Sequence, residues 1–305
     1  MKKGPVTPKG FRDIDSKLAS KRRIVINTIC DVLEDFGFVP IETPTIEFSE
    51  TLTGKYGEEE RLIYNFTDRG GRNLALRFDL TIPLARYVAN NLGVLNPTFS
   101  RYQIGQVYRG EKPQKGRYRE FTQLDFDTVG SNDLNDDARI IAATLSVVKK
   151  LGIKDMTMSI NDRKNFKDFP PDIIRAWDKY LKIGEEGVKK EILSKGYTPK
   201  ETSKYMDKLK YDIKETKDIK EVKSILETNK DWDLADSRDF VFDKTLARGL
   251  DYYTGLIFEL VDNKSKTLSI GGGGRYDNLI GIFAGRDVPA VGFSFGIDRL
   301  VELVD

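Results

Sequence analysis

The sequence contains no histidine. That absence removes Ser-His-Asp triads, Cys-His dyads and imidazole-ligated metal sites at once. Cysteine is nearly as scarce. Cys30 is the only one, which excludes an intrachain disulfide, a CxxC redox motif and an all-cysteine zinc site. No apolar run approaches the roughly 18 residues that a membrane span needs, and no leader peptide is read at the N-terminus. A lone thiol fits a reducing cytosol, so a cytoplasmic location without a membrane partner is expected. Net charge is lacking too. Fifty Lys+Arg against 48 Asp+Glu leave +2, so any basic surface must be local. An enzyme of this composition has no imidazole to titrate near neutrality, and its chemistry must rest on positioning and fixed charge.

What is present is a chain of 305 residues, 39% hydrophobic, long enough to bury a sizeable core. Val25, Ile29, Val32, Leu33 and Phe36 recur at helical spacing and Gly37 ends the run. Short strand-like segments follow at 38–41, 62–67 and 74–78, then a helix at 84–92. Two long strand candidates, 99–108 and 118–129, flank a basic, glycine-containing link, the pattern of an antiparallel hairpin and not of a βαβ unit. Leu134, Ala138, Ile141, Ala142, Leu145 and Val148 mark a further helix closed by Gly152. From 161 to 235 lysine and glutamate dominate and the helical stripes weaken, which reads as a small helical insertion with lysines serving solubility. Strand character returns at 240–242 and 255–261. A glycine cluster, a short helix, a strand at 290–295 and a closing helix from Gly296 finish the chain. The expected fold is α+β: an antiparallel sheet flanked by helices, with residues 1–160 and 236–305 forming one core around the insertion 161–235.

Strand alternation locates candidate chemistry. Arg119, Gln123, Asp125 and Asp127 share one face of the second hairpin strand, opposite Thr122, Leu124 and Phe126. An ordinary half-exposed strand would look the same, but 74–81 repeats the pattern with Arg77, Asp79 and Thr81. Two strands each offering a carboxylate beside a neutral hydrogen-bonding group suit an ammonium ion. The hairpin supplies opposite charge, with Arg101, Arg109, Lys112, Lys115, Arg117 and Arg119 against Glu111 alone. Further clusters are Arg248 to Gly255, the four glycines 271–274 leading to Arg275-Tyr276-Asp277, and Gly292 to Leu300 with Arg299 near a helix start. The glycines form neither a Walker A loop nor a dinucleotide fingerprint. They are read as a place where backbone approaches a flat ligand and helix onset favours an anion.

These residues resemble a known family. Tyr108-Arg109-Gly110-Glu111 followed by Gly116-Arg117-Tyr118-Arg119-Glu120-Phe121 is similar to the second signature motif of class II aminoacyl-tRNA synthetases. Gly292 to Leu300 is similar to the third, and Glu42-Thr43-Pro44 stands where the first, dimer-forming motif belongs. Arg248-Gly249-Leu250-Asp251-Tyr252-Tyr253 and Gly273-Gly274-Arg275-Tyr276-Asp277 resemble the two sequences peculiar to histidyl-tRNA synthetases. The resemblance covers about 10–304 and is weakest in the insertion. It implies a class II synthetase fold and a catalytic core that ends after the third motif, without an anticodon-binding domain.

The roles it implies can be placed residue by residue. Arg109 and Glu111 would bind ATP, Arg109 at the α-phosphate. Arg299 would hold the γ-phosphate and Phe121 would stack on adenine. Asp79, Thr81 and Gln123 would receive the α-amino group of histidine, Asp127 and Tyr253 would bracket its imidazole beside Tyr252, and Arg248 would contact the α-phosphate and the histidine carboxylate. Lys112 and Gln114 would meet the acceptor end of tRNA(His). The implied cosubstrate is ATP with Mg2+, for which no ligands are assigned, and the implied assembly is a homodimer. Activation of histidine explains the missing imidazole, because the substrate's carboxylate is the nucleophile and is already ionised at pH 7. The alternative implied function is a histidine-sensing regulatory subunit of ATP phosphoribosyltransferase, a synthetase-like paralogue that does not aminoacylate. Retention of Arg109, Arg248 and Arg299 together speaks against it. A plain RNA-binding module fits worse, since an acidic Asp79/Asp125/Asp127 surface repels phosphates.

Overall fold

Asp15 caps the first helix, α1 (Ser16–Asp35), its carboxylate accepting the Leu18 amide at 2.8 Å. Gly37 at φ 81° ends it, and the Phe38 amide turns back onto the Leu33 carbonyl at 3.0 Å. The computed structural model describes residues 5–114, 116–232, 240–248 and 252–304. Lys115, the Gly249-Leu250-Asp251 stretch and the end of the expected insertion, 233–235, lie outside the described residues.

After α1 come β1 (Val39–Pro40), β2 (Ile46–Phe48), the short α2 (Ser49–Leu52), β3 (Asn65–Thr67), β4 (Asn73–Leu76) and α3 (Thr81–Asn91). The long hairpin β5 (Phe99–Tyr108) and β6 (Glu120–Val129) follows, paired antiparallel along its whole length from Phe99–Val129 to Tyr108–Glu120. Next are α4 (Leu134–Lys150), β7 (Met156–Asp162), and the helices α5 (Pro171–Trp177), α6 (Tyr180–Ser194), α7 (Pro199–Tyr211) and α8 (Lys217–Thr228). The chain closes with β8 (Phe240–Phe242), β9 (Leu256–Asp262), β10 (Ser265–Arg275), α9 (Gly281–Ala284), β11 (Ala290–Gly296) and α10 (Ile297–Leu303).

Among the described residues the main sheet has eight strands in the order β1-β5-β6-β11-β10-β9-β7-β8, and a three-stranded sheet runs β2-β4-β3. The α+β expectation therefore holds, with one refinement. The main sheet is antiparallel except at its two edges, where β1 joins β5 and β8 joins β7 in parallel. The strand β7 has no counterpart in the sequence reading. Its buried Met156, Met158 and Ile160 alternate as a strand requires, but the run is short and bounded by aspartates.

One face of the main sheet is apolar. Leu124 and Phe126 of β6 with Phe293 and Phe295 of β11 pack against α1, α4, α8 and α10 in the largest core. A second core joins α3, α9 and Phe78, and a third joins α5, α6 and α7 with Leu246, Tyr253 and Ile257. The helix α8 belongs to the first core through Ile219, Val222 and Leu226, whereas α5–α7 form the third. Burial of the apolar face leaves the opposite face of the sheet to carry polar groups. A strand's period of two makes that division automatic.

Candidate active site

On β6 the odd-numbered residues Phe121, Gln123, Asp125 and Asp127 all line a cavity of about 600 Å3, as the alternation requires. The cavity runs across the polar face of the main sheet and is roofed in part by α5 and α6. Glycines make the room for it. A Cβ on Gly272 of β10 would stand 2.2 Å from the Arg248 guanidinium, and one on Gly292 of β11 would stand 1.9 Å from Asp127 Oδ1. The glycine run is thus strand and not loop, a correction to the sequence reading. Gly271 to Gly274 pair with β9 and β11, and no helix starts there. The expected close approach is real, but what approaches is Arg248.

One end of the cavity is acidic. Asp79 is buried, and its Oδ1 accepts the Tyr56 hydroxyl at 3.0 Å and the amides of Thr81 and Ile82 at 3.1 and 3.0 Å. Burial raises its pKa, against the pull of the Ile82 amide and Arg109. Thr81 is the first residue of α3, so Asp79 and Thr81 come together through a helix start and not on a strand face. The shared-face argument for residues 77–81 fails for that reason: β4 ends at Leu76. Arg77 turns away altogether, donating to the carbonyls of Gln106 at 2.7 Å and Thr43 at 2.9 Å in the space left by Gly105.

Asp127 completes the acidic end. It accepts the Tyr276 hydroxyl through Oδ1, and its Oδ2 lies 2.5 Å from Nη2 of Arg101. Arg101 is fully buried beneath the two acids, its Nη1 3.4 Å from the Asp125 carbonyl. Burial raises the Asp127 pKa, with Arg101 and Tyr276 opposing it. Tyr252 and Tyr253 lie beside this end with their rings tilted at 50° and centroids 4.8 Å apart, and Tyr252 meets Tyr276 edge-on at 6.1 Å.

The other end is cationic. Arg109, Arg117 and Arg299 line it with Glu111 and Phe121. Arg109 donates to the Phe78 carbonyl at 3.1 Å and lies 5.2 Å from the Phe121 ring centroid. Arg299 donates to the Ser269 carbonyl at 2.7 Å. Burial lowers the Arg299 pKa, and Arg117 and Arg109 lower it further. Guanidinium groups gathered at one end of a cavity form a receptor for an anion. Glu111 offsets them only in part, through Arg117 at 3.2 Å.

Arg248 stands between the ends. Its φ of 56° is a left-handed conformation, rare and costly for a side chain of this size. Its guanidinium faces Glu259 at 3.5 Å and the Tyr253 hydroxyl at 3.4 Å. Burial works against its charge, yet Tyr253 and Glu259 carry its pKa above the ordinary arginine value.

Of the residues singled out from sequence, Asp79, Thr81, Arg109, Glu111, Phe121, Gln123, Asp127, Arg248, Tyr252, Tyr253 and Arg299 line this one cavity. Lys112 and Gln114 do not; they are exposed near the hairpin tip, where Gln114 bridges to Arg117. Arg119 also lies outside, tied to the Glu111 carbonyl at 3.0 Å. Tyr56, Ser294 and Glu259 line the cavity without having been singled out. Of the lysines of 161–235, the exposed Lys179, Lys182 and Lys195 also line the cavity.

The histidyl-tRNA synthetase family model matches residues 10–168 and 185–300. The chain belongs to that family. Among curated histidine–tRNA ligases, that of Aeropyrum pernix is 41% identical over 98% of this chain and 74% of its own length. That of Christiangramia forsetii is 39% identical over 100% and 78%. The solved histidyl-tRNA synthetase of Nostoc sp. PCC 7120 superposes with a TM-score of 0.79 at 31% identity, covering 99% of this chain and 75% of that one. A structure from Bacillus halodurans C, described as an ATP phosphoribosyltransferase regulatory subunit/histidyl-tRNA synthetase, reaches the same TM-score at 23% identity. It shares the histidyl-tRNA synthetase fold.

Proposed function

We propose that this chain is a histidine–tRNA ligase: it activates histidine with ATP to histidyl-adenylate and transfers the histidyl group to tRNA(His). The observation that carries the reading is the dipolar cavity, acidic at Asp79 and Asp127, cationic at Arg109 and Arg299, with Arg248 between. Histidine placed along it puts its ammonium group at Asp79, Thr81 and Gln123, and its imidazole between Asp127, Tyr252 and Tyr253. Its carboxylate then points at Arg248.

The carboxylate oxygen attacks the α-phosphorus of ATP, forming a P–O bond as the bond to the β-phosphate oxygen breaks and pyrophosphate leaves. Two anions must meet in line, so the catalytic need is charge and alignment, which the planar forks of Arg109 and Arg248 supply. Arg299 and Glu111 take the triphosphate end, and Phe121 offers its ring to adenine. Glu111 and Glu259 are hard oxygen donors on the cavity wall, suited to Mg2+ held largely by the nucleotide and water; the ion would offset phosphate charge. Among the described residues no group of three or more acids is placed to hold a metal alone.

Lys112 and Gln114 meet the acceptor end of the tRNA. The partly exposed apolar side chains Val39, Ile46, Phe48 and Phe66, around the first motif, suit a homodimer interface. The location is cytoplasmic. The regulatory reading is not favoured, because the relatives that span nearly the whole chain at 36–41% identity are named histidine–tRNA ligases. Charging of a tRNA(His) transcript with labelled histidine tests the full reaction. Acid-stable, ATP-dependent label on the tRNA is expected, and none after adenylate formation has been demonstrated would reject the transfer step.

A further inference from the structure

Gln123 ends in an amide whose oxygen is buried without a protein partner, although the residue is only 9% exposed. Its nitrogen, Nε2, donates to Ser294 Oγ at 2.8 Å. The Ser294 hydroxyl in turn donates to Asp125 Oδ1. Strand register builds this chain of bonds, because Ser294 pairs directly with Asp125 and Gly296 with Gln123 across β6 and β11.

The order of donors follows from the end of the chain. An ionised carboxylate only accepts, so Ser294 must give its one proton to Asp125. The serine oxygen can then only accept, and only the NH2 side of the Gln123 amide can serve it. The carbonyl side is left without a protein donor, on a residue that lines the cavity in which an ammonium group needs an acceptor. We propose that Asp125 and Ser294 are positioning residues, a relay that fixes which way round the Gln123 amide stands and thereby presents its oxygen to the α-amino group of histidine. This rests on the assignment of Gln123 to that group under the proposed function.

The relay has a polarity that protons can reverse. Burial pushes the Asp125 carboxyl up to about 7; Arg101 opposes the rise, Asp127 and Asp79 add to it, and the Ser294 bond resists it. Arg77, from beyond the end of β4, is a further charge acting on this carboxyl. Below pH 7 a protonated Asp125 can donate to Ser294, whose hydroxyl is then free to donate to the amide oxygen. The amide turns over and offers NH2 to an ammonium ion, which repels it. Affinity for histidine therefore falls as the pH drops through about 7.

The test is ATP–pyrophosphate exchange from pH 6 to 8.5 in the parent, Ser294→Ala and Asp125→Asn, reading KM for histidine, KM for ATP and kcat. Free histidine titrates near 6.5 in every case, so ratios between proteins at each pH are compared. Ser294→Ala is expected to raise KM for histidine about ten-fold at pH 8, with KM for ATP and kcat within about two-fold. Asparagine at 125 has an NH2 to donate to Ser294 and stands in for the protonated carboxyl at every pH. Asp125→Asn should therefore raise histidine KM at pH 8, and the parent-to-Asp125→Asn ratio of histidine KM should climb toward one below pH 7. A parental histidine KM in Ser294→Ala, loss of ATP affinity in step with histidine, or a ratio flat across pH each overturns the relay. If Ser294→Ala does not fold, the pH ratio decides alone. A parent without histidine-dependent exchange would instead overturn the functional reading, and the relay with it.

Discussion

Gly292 leaves open the space that Asp127 occupies: a Cβ at 292 would lie 1.9 Å from Asp127 Oδ1 and 2.9 Å from the Phe126 carbonyl. One is paired to the other across β11 and β6, so neither can move without shifting the central strands. The carboxylate at the imidazole end thus depends on a missing side chain one strand away.

Gly292→Ala should displace Asp127 from Tyr276 and Arg101 while leaving the arginine end in place. The expected loss in kcat/KM for histidine is on the order of 100-fold, about 2.7 kcal/mol. Overpacking should also cost about 1–3 kcal/mol of stability. Steady-state exchange kinetics with each substrate varied in turn would check this; equal losses for ATP and histidine would speak against it.

Arg248 joins the two ends, and its removal should be felt in the chemical step. Arg248→Ala is expected to lower histidine-dependent exchange by 10²–10³, about 3–4 kcal/mol, with the fold intact. Arg248→Lys should not restore it, since an ammonium lacks the planar fork. The φ of 56° adds a second readout: Arg248→Gly should be more stable than Arg248→Ala by about 1 kcal/mol, the strain of a left-handed non-glycine residue. Near-normal exchange in Arg248→Ala would refute the assignment.

Arg101 is the buried cation under Asp125 and Asp127. Arg101→Met strands two acids in a low-dielectric site, and the expected cost at pH 8 is about 3–5 kcal/mol. Both acids already have folded pKa values above their unfolded ones, Asp125 at about 7. Groups so shifted add stability at low pH and lose it as pH rises through the folded value. Loss of Arg101 raises those values further, so the deficit against the parent should shrink from pH 8 to pH 5. Urea melts at the two pH values measure it; a deficit that grows in acid would contradict the picture.

The hairpin was legible in the sequence because its two strands are long and keep their period. Spacing alone assigns Gln123, Asp125 and Asp127 to one face, and all three line the cavity, whereas Arg119 of the same set does not. The same reasoning picks out Asp79 and Thr81 for the wrong reason: the strand stops at Leu76, and the two meet where Asp79 accepts the Thr81 and Ile82 amides at the start of α3. Tyr56 precedes a short 3-10 segment and carries no periodic signal, so nothing in the order of residues tied it to Asp79. Ser294 and Arg101 depend on which residues neighbouring strands set side by side, and a single strand does not record its partner's register. The glycines announced close approach, while the group they admit, Arg248, comes from a separate stretch of chain.

The central claim is that one cavity receives histidine by its cationic end and ATP by its phosphates. ATP–pyrophosphate exchange with histidine, set against each of the other amino acids, tests it most directly. Exchange with histidine alone, lowered by about 10²–10³ in Arg248→Ala, is the predicted result. Histidine binding without exchange, or exchange supported by another amino acid, would contradict it.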